Sequence, residues 1–472
     1  MGNLHNRPAF AGRLVILGFG GIGQGILPLL LRHIALQPAQ IDILAADAAG
    51  FEQAAAAGVR HRVQPLTADN YRALLTALLG PGDFLLNLSV DVSSLALIEL
   101  CRERGALYLD ACIEPWAGGY VDRSLPVAQR SNYALREAAL ALRRSGHPGP
   151  TAVLAHGANP GLVSHLCKQA LLDIAAADGK PVPPPDSRVG WARLAQRLGI
   201  RAIHIAERDS QVDSQRKLSG EFVNTWSVHG FVSEALQPVE LGWGSHERHF
   251  PVDGHRHATG SRAAIYLERP GASTRVRSWT PLAGAQHGFL ITHGESISIA
   301  DYLTLGSGDH PEYRPTVLYA YRPCDDAVLS LEELAARNWR QQPQVRVLRD
   351  GIVAGVDELG VLLMGHGRGA YWYGSRLSIE QARALCPANG PTSLQVTVAA
   401  AAGVIWALRN PACGVVEPEA LPFAEILDFC RPYLGELFGV FSDWTPLAGR
   451  GWLFDEDLDY SDPWQFKNFR VV

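Results

Sequence analysis

Three glutamates in this chain stand beside short apolar runs, where a sheet ends or the chain turns. Glu207 follows Ile203-His204-Ile205-Ala206, Glu234 follows Phe231-Val232-Ser233, and Glu295 follows Thr292-His293-Gly294. Asp91 and Glu114 stand just past two earlier apolar runs, and Trp226 and Trp243 are close by in sequence. Carboxylates that converge with an indole make an anionic, aromatic pocket. Such a pocket suits a cation, since each carboxylate pairs with an ammonium and the indole face adds roughly 0.5–2 kcal/mol. An amino or hydroxy acid would instead need a guanidinium for its carboxylate. Arg208, Arg275 and Arg277 could supply one, so spacing leaves both substrate classes open. His293 could shuttle a proton, and Asn159 in Gly157-Ala158-Asn159-Pro160-Gly161 could orient a reacting nitrogen. Taken singly, each has a plainer reading: a solvated charge, a core indole, a structural histidine, a turn before proline.

The elements that must position these groups begin at the N-terminus. Leu14–Leu17 is a short apolar run that ends in Gly18-Phe19-Gly20-Gly21-Ile22-Gly23, and a helical pattern follows over 22–34. Strand, tight turn and helix in that order form a dinucleotide fingerprint. Gly18 allows the turn, Gly20 lets a pyrophosphate approach, and Gly23 lets the helix sit close to the strand; the helix N-terminus offers free N–H groups to phosphate. A second run, 41–46, ends in Asp47. An acid there bonds the adenosine ribose and disfavours a 2′-phosphate, which favours NAD over NADP. Further strands are expected at 60–64, 83–88, 106–110 and 151–155, with helices at 49–57, 69–79, 93–104 and 131–144 between them. That alternation predicts an α/β, doubly wound parallel sheet of the Rossmann type. Asn87-Leu88-Ser89, Asp110-Ala111-Cys112 and His156-Gly157-Ala158-Asn159 follow strands, at the carboxyl end where such sheets bind ligands.

From about Arg201 the texture changes. Runs at 202–206, 222–226, 263–267, 288–292 and 370–373 predict a second α+β domain with a mixed, mostly antiparallel sheet. The expected boundaries are 1–158 for the dinucleotide domain and 159–391 for a substrate and dimerisation domain. The chain returns to the first domain around 392–420, through a small-residue-rich helix at 394–409, and a segment at 421–472 packs on the body.

Hydrophobic residues make up 47% and charged residues 19%, so the chain is globular. A net charge of −5 without a basic block argues against nucleic-acid binding. Seven scattered cysteines without a Cys-x-x-Cys suit free thiols in a cytoplasm. The polar stretch 1–10 is no signal peptide, and the apolar run 396–408 is too short to span a bilayer. The histidines His246, His249, His255 and His257 alternate with charges and lack a metal-site pattern, so no metal is expected. Gly365-His366-Gly367-Arg368-Gly369 reads as a hairpin turn rather than a phosphate loop.

Blocks along nearly the whole chain resemble the bacterial homospermidine synthases, relatives of the saccharopine dehydrogenase group. The resemblance is carried by Gly18-Phe19-Gly20-Gly21-Ile22-Gly23, Asn87-Leu88-Ser89-Val90-Asp91, Glu114-Pro115-Trp116, Arg130-Ser131-Asn132-Tyr133 and Gly157-Ala158-Asn159-Pro160-Gly161. It continues in Ile203 to Asp209, Phe222 to Ser227, Thr292 to Ser298, Tyr371 to Ser375 and Asp443-Trp444-Thr445-Pro446-Leu447-Ala448-Gly449-Arg450. It implies an NAD-dependent, cytoplasmic homodimer that oxidises putrescine to an imine, condenses it with a second amine and reduces the product with the same NADH. Spermidine could replace one putrescine. The alternative is a saccharopine-type reductase that releases its cofactor. By resemblance, Trp226 stacks on cationic intermediates, Glu207 anchors or deprotonates an ammonium, and Asn159 and His293 orient the reacting nitrogen. Asp91, Glu114, Glu234 and Glu295 hold distal amines or shuttle protons. Cofactor contacts fall to Gly18, Gly20, Gly21, Ile22, Gly23, Asp47, Thr67, Asn87, Ser89, Asp110, Ala111, Gly157 and Asn159. Departures from the family pattern include Gly21, Gln24, His156 and Asp325; His156 would sit at the nicotinamide pocket and Asp325 near cofactor or amine.

Overall fold

The computed structural model describes residue 4, residues 6–143 and residues 149–471. Arg144, the last residue of one expected helix, lies outside them, as do Met1, Gly2, Asn3 and His5 of the polar N-terminal stretch. The first sheet has seven parallel strands in the spatial order Val415–Val416, Ala152–Val153, Leu107–Asp110, Phe84–Asn87, Leu14–Leu17, Ile41–Ala45, Arg60–Val63. The four strands from Leu107–Asp110 to Ile41–Ala45 are wholly buried, which is why they read as continuous apolar runs. The strand order reverses between Leu14–Leu17 and Phe84–Asn87, so a crevice opens beside Gly18 and Asn87.

The second sheet has ten strands. At its centre Ala202–Asp209 runs parallel to Thr316–Arg322 and antiparallel to Val356–Met364. The hairpin partner Ala370–Ser378 then leads to the edge strand Glu436–Ser442. Part of the expected C-terminal segment is therefore a sheet strand rather than a cover. Helices are more numerous in this half than the sequence texture suggests; Leu162–Ala177 and Gly294–Tyr302 pack on its strands, Arg188–Leu198 packs on Leu162–Ala177, and Val228–Leu236 and Asp325–Ala336 pack on strand Glu221–Asn224 of a separate two-stranded sheet.

Three features join the halves. Helix Pro391–Arg409 packs along the fingerprint helix Gly21–His33 and delivers the chain to the edge strand Val415–Val416. It is long and apolar enough to cross a bilayer, yet 83% of its apolar window is buried inside the protein. Its Ala399–Ala402 run permits that close fit. Glu240 of the second sheet accepts bonds from the backbone N–H groups of Asn132 (2.7 Å) and Tyr133 (3.1 Å). A carboxylate there meets the positive end of helix Asn132–Arg143. On the same helix the buried Arg136 reaches Glu417 at 2.6 Å and Asp301 at 2.8 Å, so one guanidinium ties the dinucleotide domain, the returning segment and the second domain.

Arg136→Met should destabilise the protein by about 3–5 kcal/mol, the usual cost of stranding buried carboxylates. A denaturation midpoint unchanged from the parent would show that Arg136 is not the clamp.

Candidate active site

The cradle at the sheet's carboxyl end is built from backbone. Gly18 takes φ +83°, and a Cβ there would lie 2.7 Å from the Leu88 carbonyl oxygen. Gly20 precedes helix Gly21–His33, which has no side-chain cap, and a Cβ on Gly20 would point into open space. An uncapped helix end facing an open hollow fits a phosphate-bearing dinucleotide. Gly23 lies against Gly18, as close packing of helix on strand requires. Asp47 is exposed past the end of its strand, its Oδ1 accepting from Ala49 N–H at 2.9 Å. Thr67 is exposed past the next strand.

Beyond the cradle lies a cavity of about 120 Å³ whose wall includes Ile22, Asn87, Ser89, Ala111, Gly157, Asn159, Glu114, Glu207, Trp226, Glu234 and His293. The two domains therefore bring together most of the residues singled out in the sequence. Asn87 holds Ser89, whose hydroxyl donates to its Oδ1 at 2.5 Å. Asp110 does not line the cavity; it is buried, accepts from Tyr108 (2.9 Å) and from Ala155 N–H (2.5 Å), and so fixes the loop that does. Burial pushes its carboxyl up to about 6.

Glu207 sits within strand Ala202–Asp209, not past its end. Asn159 Nδ2 donates to Glu207 Oε2 at 2.9 Å and Tyr319 donates to the same oxygen at 2.5 Å, which leaves Oε1 for the cavity. Burial raises the Glu207 carboxyl to about 8, against the opposing pull of the Tyr319 bond. Glu114 is likewise pushed well above the usual carboxylate range, by burial first and then by the charges of Glu234 and Asp91. His293 Nε2 lies 3.0 Å from Glu234 and Nδ1 lies 3.4 Å from Glu295. Burial disfavours charge on His293, but these two carboxylates outweigh it and hold the imidazole protonated well above its ordinary range. Trp226 is half-buried on the wall, and its carbonyl oxygen would lie 3.2 Å from a Cβ on Gly21. The indole's segment is thus docked over the fingerprint.

Several placements differ from expectation. Glu234 lies in helix Val228–Leu236 and Glu295 in the first turn of helix Gly294–Tyr302, because Phe231-Val232 and the run before His293 feed helices. Glu295 is wholly buried behind His293 and off the wall; Asp91 is exposed at φ +62° and also off it. Trp243 belongs to an apolar cluster with Phe466 and Trp464 and is no part of the site. His156 is buried against His165, ring nitrogens 3.0 Å apart, not at the cavity. Asp325 pairs with Arg322 on the surface. Tyr319, Thr392 and Val396 line the wall without having been singled out. Tyr319 lies opposite Ile205 in the parallel pair, on a strand buried on both faces, so no alternation in the sequence marks it.

Among the described residues, no lysine or arginine lines the cavity. Arg208 bonds the Pro323 carbonyl, Arg275 pairs with Glu332, and Arg277 contacts His287, all away from it.

The saccharopine dehydrogenase NADP binding domain family matches residues 14–153, and the saccharopine dehydrogenase C-terminal domain family matches residues 157–440. The homospermidine synthase of Blastochloris viridis is 54% identical over 98% of this chain and 97% of its own length. The chain belongs to the homospermidine synthase family. A second homospermidine synthase, from Mesorhizobium japonicum, is 48% identical over 98% of this chain and 96% of its own. The crystal structure of the Legionella pneumophila homospermidine synthase in complex with NAD superposes with a TM-score of 0.92, at 49% identity and 99% coverage of both chains. Family membership agrees with the two-sheet architecture and with a dinucleotide cradle at residues 18–23.

Gly20→Val tests the cradle. Gly20 has an ordinary extended backbone, φ −70°, so the variant should fold with near-parental thermal stability. Its branched side chain would occupy the hollow, and dinucleotide affinity, read by fluorescence titration, should fall at least about tenfold. Undiminished affinity would place the pyrophosphate elsewhere.

Proposed function

We propose that this protein is an NAD-dependent homospermidine synthase that joins two putrescine molecules, or putrescine and the aminobutyl group of spermidine, with release of ammonia or 1,3-diaminopropane. One observation carries this reading: the cavity beside the dinucleotide cradle presents Glu114, Glu207 and Glu234 and no guanidinium or ammonium. An amino-acid imine, the substrate of the saccharopine-type alternative, would bring a carboxylate into that negative wall, where the imidazole of His293 is already taken by Glu234 and Glu295. A diamine brings two positive charges that the wall lacks. Asp47, exposed past the end of its strand, supports NAD over NADP, since an acid at that point of such a fold repels a 2′-phosphate.

NAD, held by the cradle at Gly18, Gly20 and Gly23, would supply the hydride acceptor for the first amine and the hydride for the condensed product, with no net redox change. Residues of the chain supply the rest. Putrescine arrives as a dication, and a carbon–hydrogen bond beside an ammonium does not yield a hydride. Glu207 Oε1, once ionised, takes a proton from the ammonium nitrogen, and Asn159 and Tyr319 hold the carboxyl in place through Oε2. Loss of the hydride leaves an iminium carbon. The second amine adds there as a free base, the added nitrogen gives up a proton as the departing nitrogen gains one, and ammonia leaves behind a new iminium that takes the hydride back. His293, held protonated between Glu234 and Glu295, is the donor placed to supply that proton. The indole of Trp226 faces the cationic carbon–nitrogen bond, a contact that strengthens in a desolvated site. The enclosed wall of Leu88, Val90, Pro160 and Val396 keeps water from hydrolysing the imine.

The assembly we propose is a homodimer, in keeping with the family. A cytoplasmic setting is supported by seven free thiols, five of them buried and unpaired.

Incubation with putrescine and a trace of NAD should yield homospermidine in large molar excess over NAD, seen by mass spectrometry. Product limited to one equivalent of NAD, or accumulating NADH, would favour the reductase. Trp226→Ala should lower turnover about tenfold or more while NAD still binds, with Trp226→Phe in between; a fully active alanine variant would remove the indole's role. Amine binding should also release protons. Glu207 is largely protonated at pH 7 because burial raises it to about 8, and a bound ammonium draws it back down, so affinity should rise with pH towards 8. Calorimetry in two buffers of different ionisation enthalpy should show this release, and Glu207→Gln should reduce it. Equal heats in both buffers for the parent would contradict the assignment.

A further inference from the structure

Two arginines that the amine site does not use, and a C-terminal block that carried the family resemblance without a role in the chemistry, meet on the reverse face of the second sheet. There, hairpin Arg275–Thr280/Gly284–Ile291 and the segment Trp444–Arg450 enclose a cavity of about 330 Å³. We propose that this cavity is a binding site for a phosphate-sized oxyanion, free or as a phosphate monoester, held between Arg277 and Arg450.

Arg277 and His287 are direct cross-strand partners, and Arg277 Nη1 lies 2.7 Å from His287 Nε2. A guanidinium has no acceptor, so the imidazole accepts and is neutral, with its proton on Nδ1. The close partner of Arg277 is therefore uncharged. Its Nε is buried and has no hydrogen-bond partner, and the nearest carboxylate, Glu456, is 3.9 Å away. Glu456 is engaged instead by Arg450, which also donates to the Asn468 carbonyl at 2.8 Å. Two guanidinium forks on one cavity thus share a single carboxylate that is one-third exposed at the rim. The neighbouring arginines differ: Arg275 has Glu332 and Arg322 has Asp325, each within hydrogen-bonding distance. An oxyanion with several acceptor oxygens can satisfy both forks at once, which one rim carboxylate cannot. Thr445 adds a hydroxyl to the wall and Trp444 a flat apolar side, so a monoester's organic part has somewhere to lie. The cavity abuts the amine site through the sheet: Gln286, on its wall, donates to the Glu207 backbone carbonyl at 3.4 Å.

The test is calorimetric titration of the full chain with inorganic phosphate, and separately with glycerol 2-phosphate, at saturating NAD so that the glycine cradle is already filled. Saturable binding to one site is expected. Arg277→Gln should weaken it about tenfold or more, since a charge-assisted pair is lost. Glu456→Gln should tighten it, because the competing carboxylate is gone; a damaged fold would not produce that opposite change, and this variant decides the matter if Arg277→Gln folds poorly. Phosphate alone saturating the site would assign it to the free ion, and tighter binding of the ester would assign it to a monoester. Heats that do not saturate with either probe, or an affinity indifferent to Arg277→Gln and Glu456→Gln, would overturn the proposal.

Discussion

Negative charge buried in excess of its positive counterpart is the constraint on which this site depends. Glu114, Glu207, Glu234 and Glu295 are all buried around one small cavity, and the nearby cation they share is His293. Ionising all of them in an enclosed space is unfavourable, because each loses hydration and each raises the potential at the others. In the absence of a ligand, protons relieve that repulsion, as the upward displacement of Glu207 and Glu114 records. An ammonium does the same work at closer range and with directional hydrogen bonds. The same imbalance makes the cavity a poor host for a carboxylate substrate, so substrate class and carboxyl protonation have one physical origin.

Such a cavity needs walls that cannot relax around it. The dinucleotide half supplies one wall from strand ends that are buried on both faces, and the other half supplies Glu207 from the middle of a ten-stranded sheet. Neither half closes the cavity alone. Helix Pro391–Arg409, the Arg136 clamp and the Glu240 cap fix the halves to one another, and the Trp226 segment is docked on the fingerprint turn at Gly21. A side chain at Gly21 would press on the Trp226 carbonyl, so this chain's glycine eases the contact between cofactor loop and indole.

The dinucleotide half was legible because its signals are local. Buried parallel strands are unbroken apolar runs, and glycine spacing marks the turn, so strands and helices fell within a few residues of expectation. The second half was less legible because its helices are short and apolar, like strands. Phe231-Val232 lies in helix Val228–Leu236, which is why Glu234 was read as a strand-end residue. Long-range relations were out of reach altogether. Nothing local says that Tyr319 meets Glu207, that Trp243 points into another core, or that Asp110 holds a loop instead of facing the cofactor. The acids and an indole suggested a cation pocket but left a carboxylate substrate open; which acids face the cavity depends on pairing register, which no single run contains.

Register also explains a second rank of carboxyls behind the first. Asp209 lies two residues beyond Glu207, on the same face of the strand, and is directly opposite Asp357 in the antiparallel pair. Both are wholly buried, and burial raises both carboxyls. Their partners are neutral donors: Thr225 and Gln211 to Asp209, and Thr392 to Asp357. Thr225 precedes Trp226, and Thr392 is itself on the cavity wall. An ionised Glu207 is therefore felt at once by groups that hold the indole and the wall. With like charges this close, full ionisation of the three is disfavoured unless a cation enters. The back row is hydrogen-bonded to the site itself, through Thr225 beside the indole and Thr392 on the wall, so the charge in the cavity acts on carboxyls that the site's own residues hold.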